Sequence, residues 1–463
     1  MSRESRVEGP EAAPPIQNPK SKIQNPADGF AFVQEQAGIR EFRLASNGLR
    51  LLLIQNRVAP VVTFAVVYHV GSRNEAVGHT GATHLLEHLM FKGTPEFQRA
   101  KGTAVASVLE ALGARFNATT WFDRTNYYET IPSDQLEVAV RIESSRMRQA
   151  LLRDEDRIPE MTVVRNEFER GENSPFQVLY KHTFATAFRE HPYHHPTIGW
   201  RSDIEEVTTE RLREFYDTFY HPNNATAMII GDFEEEAALS TVLRHFGAIP
   251  PSPRPIPPVY TVEPAQEGER RFVVRRIGQV GWCALSWRTV EARHADTPAL
   301  AVLGNILGGG ITSRLYQSLV EKNLALSVSV VPWQLRDPAL FSVFAPVRPG
   351  VESAEVESTI RGAIAAIATE SVTAAECEKA QTQIEAEVIF DRDSTDQIAA
   401  SLSEAIAVAD WRWYADYPAA IRRVTPDDVK RCVLSYLHDD ALTVGLYVPK
   451  PGEAAPVPGE DVP

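Results

Sequence analysis

Three features are scarce in this chain of 463 residues, and each scarcity argues against a class of function. Lysine and arginine number 47 against 61 aspartates and glutamates, so the formal net charge is −14. That charge disfavours a nucleic acid or an anionic membrane surface as the main partner. Apolar runs are too short to cross a bilayer, which predicts no membrane span. The cysteines are too few and too widely spaced for a thiolate metal site or a disulfide framework; they are Cys283, Cys377 and Cys432.

The N-terminal stretch is polar and proline-rich and repeats the tetrapeptide IQNP. This composition predicts a disordered tail over residues 1–36. The stretch lacks the apolar segment of a secretory signal, and few cysteines are typical of a reducing compartment. We therefore expect a cytoplasmic protein. A second disordered tail is predicted over residues 450–463.

The middle of the chain predicts a boundary between two halves. Residues 248–260 read AIPPSPRPIPPVY, and so many prolines favour a stiff, extended linker over 248–262. The two halves end alike: VTTERLREFYDTFYHPNNATAMIIGDF and VTPDDVKRCVLSYLHDDALTVGLYVP align without a gap at an offset of 217. Each copy has the pattern of a capped helix followed by a β-branched strand.

The starts of the halves correspond more loosely, since each reads as a strand, a loop and a helix. The sequence therefore predicts an α+β fold of two homologous domains, at residues 37–247 and 263–449. Each domain should be a mostly antiparallel sheet with helices packed on one face. Chance similarity between two amphipathic helices is the alternative, and the continuation of the alignment into a strand disfavours it.

Two histidines and a glutamate interrupt an otherwise apolar helix in GHTGATHLLEHLMFKGT, residues 78–94. His84 and His88 are four residues apart, so their imidazoles share one helical face and can converge on one ion. Glu87 lies at the edge of that face, where it can accept a proton from a ligand water. The order H-x-x-E-H is a recognised zinc signature.

A catalytic zinc usually has three protein ligands, so a third must come from elsewhere. The segment EDRIPEMTVVRNEFERGENSP provides the best source, because Glu160 and Glu167 are two helical turns apart on one face. The alternative is that the histidine cluster is only the polar edge of a core helix. Burying three polar groups without a shared partner would cost several kcal/mol, which favours the metal site.

Several motifs together resemble the pitrilysin, or mitochondrial processing peptidase-like, family of zinc metallopeptidases. The resemblance extends from about Phe42 to Pro449, and the number and order of the motifs make it specific. Besides residues 78–94, the motifs are GARFNATTWFDRTNYYETIP (113–132), ERGENSP (169–175), HPYHHPTIGW (191–200) and LGGGITSRLYQSLVEKN (307–323).

The resemblance implies a clam-shell of two domains with one zinc ion per chain, bound by the first domain only. By matching motif positions, His84, His88 and Glu167 are the zinc ligands, and Glu87 is the general base. Glu160 would orient a ligand from behind. The implied activity is hydrolysis of unfolded or extended peptides by an endopeptidase.

The same resemblance implies that a strand over FNATT, residues 116–120, pairs with an extended peptide substrate by strand addition. Its substrate-binding residues would be Asn117, Ala118 and Thr119.

The second half departs from the family pattern. Self-sufficient members carry an arginine and a tyrosine that reach the active site, whereas here Val320 takes the arginine position and Leu326 or Ser327 the tyrosine position. Valine and leucine cannot donate a hydrogen bond to a substrate carbonyl. We therefore expect a heterodimer with a related zinc-free subunit that supplies the pair. A homodimer or a lone subunit is the alternative.

Two other functions are compatible with the same fold: a non-catalytic structural subunit and a zinc-dependent peptide-binding subunit. The intact H-x-x-E-H motif favours the enzyme. A second histidine group, His191, His194 and His195, has no acidic residue at a ligand spacing, so we interpret it as a loop motif rather than a second metal site.

Overall fold

The computed structural model describes residues 29–450 and contains two β-sheets, one from each half of the sequence. The first sheet has seven strands in the order β1-β2-β3-β7-β4-β6-β5. All neighbours are antiparallel except β3 and β7. Its strands are β1 (Phe30–Gln36), β2 (Ile39–Leu44), β3 (Arg50–Gln55), β4 (Val61–Tyr68), β5 (Arg115–Thr120), β6 (Thr125–Pro132) and β7 (Ala225–Gly231).

The second sheet has five strands in the order β10-β11-β9-β12-β8, with β8 and β12 as its parallel pair. Its strands are β8 (Arg270–Ile277), β9 (Trp282–Arg288), β10 (Ser329–Pro332), β11 (Leu340–Pro346) and β12 (Leu442–Lys450). This order repeats that of β5, β6, β4, β7 and β3, so the sheets share one topology. The prediction of two similar α+β domains with mostly antiparallel sheets is confirmed.

Within residues 29–450, the first half contributes eight α-helices: α1 (Ala82–Leu89), α2 (Val105–Ala111), α3 (Leu136–Gln149), α4 (Asp154–Glu172), α5 (Pro175–Ala187), α6 (Arg201–Glu206), α7 (Thr209–Phe219) and α8 (Glu235–Phe246). The second half contributes six: α9 (Thr297–Gly308), α10 (Ser353–Glu370), α11 (Ala374–Phe390), α12 (Thr395–Val408), α13 (Trp411–Arg422) and α14 (Pro426–Tyr436). The ends of α7 and α14 differ by the offset of 217, and Thr208 and Thr425 cap them in the same way.

Both faces of each sheet are covered by helices, whereas the sequence pattern predicted helices on one face only. Helix α12 of the second half packs its Leu402 and Ile406 against the first sheet, where it meets Val67 and Met228. Helix α5 of the first half packs on the second sheet in return, with Leu179 in one apolar cluster with strand residues. This reciprocal exchange explains why β4 and β7 are apolar on both faces.

The N-terminal boundary of the first domain differs from the prediction. Residues 30–36, which we assigned to the disordered tail, form the edge strand β1, paired with β2 through a tight turn at Ala37 and Gly38. The physical reason is that the side chains of this segment alternate between inward and outward positions, and the first of them, Phe30, is buried in the core. Lys450, assigned to the second tail, is the last residue of β12. The rest of both predicted tails, residues 1–28 and 451–463, lies outside the described residues.

Residues 248–262, predicted as a linker, lie between α8 and β8 and contain no helix or strand. In the described part of the chain, none of the helices is both long enough and apolar enough to span a bilayer.

Candidate metal centre

The start of α1 is fixed by neighbouring residues rather than by the side chain of its N-cap residue. Gly81, its N-cap, has a φ of 85°, and a Cβ atom there would lie 2.4 Å from the carbonyl oxygen of Ile198. The buried carboxylate of Glu75 accepts hydrogen bonds from the backbone N–H groups of Gly81 (2.8 Å) and Thr83 (2.7 Å). These contacts satisfy helix N–H groups that would otherwise lack partners, and so they set the position of the first turn.

The apolar residues of α1 are buried on the side of the helix that faces the core, and Leu85, Leu86 and Leu89 are at most 1% exposed. The polar residues of the motif lie on the side that contacts α4 and β5. The sequence pattern alone dictates this division, since leucines and histidines alternate at helical spacing.

Helix α4 brings the third polar group to this face. An oxygen of the Glu167 carboxylate lies 3.8 Å from Nε2 of His84 and 3.8 Å from Nε2 of His88. The two imidazole rings are 4.8 Å apart and inclined by 71°. Among residues 29–450, this is the only group of three or more His, Cys, Asp and Glu side chains whose donor atoms converge within 4.8 Å.

The donor set fits a zinc ion. Ligand bonds of 2.0–2.2 Å and tetrahedral angles place donor atoms about 3.4 Å apart, slightly closer than the 3.8 Å distances here. Two nitrogens and one carboxylate oxygen are also the ligands of many catalytic zinc sites, which keep a fourth position open. The side chain of Glu167 is 48% exposed, so the triad is open to solvent on the α4 side.

The protonation of the two histidines differs because their surroundings differ. Burial, and then the proximity of His88, lowers the pKa of His84 to about 3, so this imidazole is neutral at physiological pH. Burial also acts to lower the pKa of His88, but the hydrogen bond with Glu160 and the nearby carboxylates outweigh it and raise that pKa. A neutral imidazole is the form that binds a metal.

Glu160 lies behind His88, on the side of the imidazole away from the triad, which is the kind of position that the family resemblance implies. Nδ1 of His88 is 2.8 Å from a carboxylate oxygen of Glu160, and the other oxygen forms an ion pair with Lys92. The hydrogen bond from His88, together with that from Lys92, lowers the pKa of Glu160 to about 2 despite its burial. Because Glu160 accepts from Nδ1, it leaves Nε2 free to face the triad.

Glu87 lies next to the triad and is 8% exposed. Burial raises the pKa of its carboxyl group, and a hydrogen bond from Thr120 partly opposes that rise. The hydroxyl of Thr120 donates this bond to one carboxylate oxygen over 2.5 Å. A carboxyl group with a raised pKa beside a set of metal ligands is suited to accept a proton and to return it.

Strand β5 forms the free edge of the first sheet next to α1, as strand addition requires. The N–H of Trp121 donates to the carbonyl of Arg124 across the hairpin, and the register with β6 is unbroken. Since hydrogen-bonded pairs alternate in an antiparallel ladder, the backbone groups of Ala118 and Thr120 point to the open edge. Those of Asn117 and Thr119 point to β6.

The side chains of the expected substrate-binding residues divide between the two faces of β5. Ala118 is buried in the core that contains α1. Asn117 and Thr119 are exposed and, by strand alternation, lie on the opposite face. On that face the Thr119 hydroxyl donates to Asn126, and Asn126 in turn donates to Ser403 of α12.

A cavity of about 470 Å³ opens beside the triad. His84, Thr120 and Glu167 border it, and its apolar walls come from Trp121, Tyr180 and other residues of α4, α5 and the loop before α6. A cavity of this size accommodates a substrate side chain next to the proposed reaction centre.

Two histidines of the second group, His191 and His195, lie near carboxyl groups. Nε2 of His191 is 3.0 Å from Asp337 of the second half, and Nδ1 of His195 is 3.7 Å from Glu75. The loop 191–200 thus connects the start of α1 with the second half, which agrees with a loop motif.

Sequence reasoning missed two contributors, Thr120 and Glu75. Strand alternation could have indicated Thr120, because it follows Ala118 by two residues on the same face. Nothing local indicates Glu75, whose contact with α1 depends on the path of the preceding loop.

Comparisons with known proteins agree on one family. The family model described as "Insulinase (Peptidase family M16)" matches residues 50–200, and that described as "Peptidase M16 inactive domain" matches residues 206–384. The zinc protease PqqE of Helicobacter pylori is 30% identical over 409 residues, which cover 87% of this chain and 91% of PqqE.

Solved structures share the fold. The crystal structure of a protease from Helicobacter pylori superposes with a TM-score of 0.84 at 28% identity, covering 91% of this chain and 99% of that one. The periplasmic protease PqqL from Escherichia coli gives a TM-score of 0.73 at 17% identity, covering 91% of this chain but only 48% of PqqL.

Proposed function

The chain belongs to peptidase family M16, the insulinase family, and we propose that it is a zinc-dependent endopeptidase acting on unfolded or extended peptides. The observation that carries the proposal is the convergence of His84, His88 and Glu167 with Glu87 beside them. Relatives are named zinc proteases, which supports a peptidase.

In this proposal His84 and His88 would hold one zinc ion through Nε2, and Glu167 would hold it through its carboxylate. The chemistry that zinc supplies at such a site is the activation of water near neutral pH and the polarisation of a carbonyl group. Glu87 accepts a proton from the attacking water and delivers it to the leaving amine nitrogen. Glu160 keeps His88 in the tautomer that presents Nε2.

The substrate is extended because it binds as an additional strand on the edge of β5. The backbone groups of Ala118 and Thr120 pair with it, which requires no particular substrate sequence. The cavity beside the triad then receives a side chain near the cleaved bond.

We further propose that a related zinc-free subunit supplies the arginine and tyrosine that this chain lacks, where Val320 takes the arginine position and Leu326 or Ser327 the tyrosine position. Valine and leucine have no hydrogen-bond donor for the oxygen of the reacting carbonyl, and Ser327 offers only a short hydroxyl in place of a tyrosine. PqqL supports the idea of two such units acting together, since this chain covers only about half of it. A homodimer remains the alternative, and a cytoplasmic location remains a prediction from the sequence.

The same departure favours a second candidate, a subunit that binds zinc and extended peptides without cleaving them. One experiment separates the two. The purified chain is assayed for zinc content and for cleavage of a quenched unfolded peptide, with and without a chelator and with and without the zinc-free relative. Chelator-sensitive cleavage that Glu87→Gln abolishes, while zinc content stays near one per chain, supports the peptidase.

Glu169→Gln is the matched control, because Glu169 is an exposed glutamate of α4 whose nearest cation is Arg201 at 3.7 Å. This variant should cleave like the wild type. Zinc near one per chain without cleavage in any combination would favour the binding subunit. Cleavage by Glu87→Gln at the wild-type rate would show that Glu87 is not the base.

A further inference from the structure

Thr120 connects the open strand edge with the candidate general base. It is the last residue of β5, half-buried, and it borders the same cavity as His84 and Glu167. Its hydroxyl lies 2.5 Å from Oε2 of Glu87, a short distance typical of a hydroxyl that donates to a carboxylate. Its own N–H and C=O point to the open edge, by the alternation established above.

A glutamate side chain has three rotatable bonds, so its carboxylate needs a partner if it is to hold one orientation. Among the described residues, Thr120 supplies the hydrogen bond that holds Oε2 of Glu87. Oε1 of Glu87 is then the oxygen left to accept a proton.

The end of β5 is itself held firmly. The guanidinium of Arg124 donates to the carbonyl (2.9 Å) and the hydroxyl (2.5 Å) of Thr119, and it forms an ion pair with Glu404 of α12. The hydroxyl of Thr120 is therefore attached to a strand end whose position these contacts fix. Residues placed from rigid elements keep a reacting group in its productive geometry more closely than loop residues do.

We propose that Thr120 is a positioning residue: its hydroxyl orients Glu87 while its backbone pairs with the substrate strand. The inference rests on the proposed function, in which Glu87 is the base. Thr120 then contacts both the peptide and Glu87. A peptide paired with β5 therefore lies at a fixed distance from the carboxylate that takes part in its cleavage. The hydrogen bond from Thr120 is sufficient to orient the Glu87 carboxylate in this way.

The test compares three variants. Thr120→Val removes the hydroxyl and keeps the shape, Thr120→Ser keeps the hydroxyl, and Thr130→Val is the control. Thr130 is a half-buried threonine of β6 whose hydroxyl bonds to Thr63 at 2.7 Å, away from the triad. Each variant is measured for zinc affinity, for kcat and KM on the unfolded peptide, and for the visible spectrum of its cobalt-substituted form.

Thr120→Val should lower kcat about 10- to 100-fold, since small misplacements of a catalytic group have effects of this size. Its KM and zinc affinity should stay within about twofold of the wild type, because strand pairing and metal binding keep their groups. Thr120→Ser should restore most of kcat, and Thr130→Val should leave kcat unchanged. The cobalt spectrum should change in Thr120→Val alone, since Glu87 lies beside the side chains that would hold the metal.

Wild-type kcat in Thr120→Val, or the same loss in Thr120→Ser, would overturn the inference. Failure of the proposed function looks different: the wild type itself would show no chelator-sensitive cleavage with or without the zinc-free relative. In that case the cobalt spectra still decide about Thr120. Identical spectra for the wild type and Thr120→Val would overturn its positioning role.

Discussion

Glu160 and His88 form the closest contact between the two helices of the candidate metal centre, with a carboxylate oxygen 2.8 Å from Nδ1 of the imidazole. Glu160 is 7% exposed, and Lys92 binds its second oxygen. On α4, Glu160 lies two helical turns from Glu167, so the pair joins α1 to α4 at a second point. It therefore determines both the tautomer of His88 and the spacing of the two helices.

The first prediction concerns this pair. Glu160→Ala should weaken zinc binding about 10- to 100-fold, the usual effect of removing a carboxylate behind a histidine ligand. Competition with a chromophoric chelator measures the affinity. Glu169→Ala, which removes an exposed carboxylate from the same helix, should leave the affinity unchanged. Equal affinities of Glu160→Ala and the wild type would contradict the role given to Glu160.

The second prediction concerns the start of α1. Gly81→Ala should destabilise the protein more than Gly78→Ala does. Both glycines have positive φ, 85° and 88°, so both variants have the same backbone strain, about 1 kcal/mol. Only the Cβ at position 81 would meet another atom, the carbonyl oxygen of Ile198 at 2.4 Å. Urea unfolding measures the difference; equal losses of stability would mean that the helix start can shift away from residue 198.

The third prediction concerns pH. Burial raises the pKa of Asp123 from 3.8 to about 6, although the backbone N–H of Arg336, the charge of Arg73 and the hydroxyl of Tyr193 oppose the rise. The folded state therefore binds the proton more tightly than the unfolded state. This contribution to stability is complete below pH 4 and is lost as the pH rises toward 6, by roughly 2–3 kcal/mol for a shift of this size.

Asp123→Asn removes this titration. The melting temperature of the variant should therefore increase relative to that of the wild type as the pH rises from 4 to 6. Thermal unfolding at intervals of half a pH unit measures it. A difference that is constant across this range would show that Asp123 does not titrate there.

The fourth prediction concerns the contact of the second half with the first sheet. Trp411 is fully buried, and its Nε1 donates to Glu41 of β2 over 2.9 Å. Trp411→Ala should cost about 3–5 kcal/mol of stability, the usual loss for a large buried aromatic residue. Trp413→Ala, at a half-buried position of the same helix, should cost less. Similar losses would contradict the assignment of Trp411 to the shared core.

Short-range patterns in the sequence predicted much of this molecule. The four-residue spacing of His84 and His88 is sufficient to place both on one face of α1. The gapless offset of 217 predicted the matching pairs α7–β7 and α14–β12. Both signals depend on neighbours within one element, where periodicity is informative.

The unpredicted features depend on contacts between residues far apart in the sequence. Thr120 meets Glu87 across 33 positions, and the exchange of α5 and α12 joins positions that are hundreds of residues apart. An apolar helix face does not specify which sheet it covers. The strand β1 was missed because its short alternation follows a proline-rich stretch that suggested disorder.

The exchange of helices α5 and α12 has a consequence for the chain as a polymer. A fragment that ends at the proline-rich linker would retain α5 but lose the sheet that α5 covers, and its own sheet would lose α12. Each fragment would then expose an apolar surface that the other fragment is shaped to cover. Cutting the chain within residues 248–262 should therefore yield two pieces that stay associated, and each half alone should be less stable than the intact chain despite the duplicated topology.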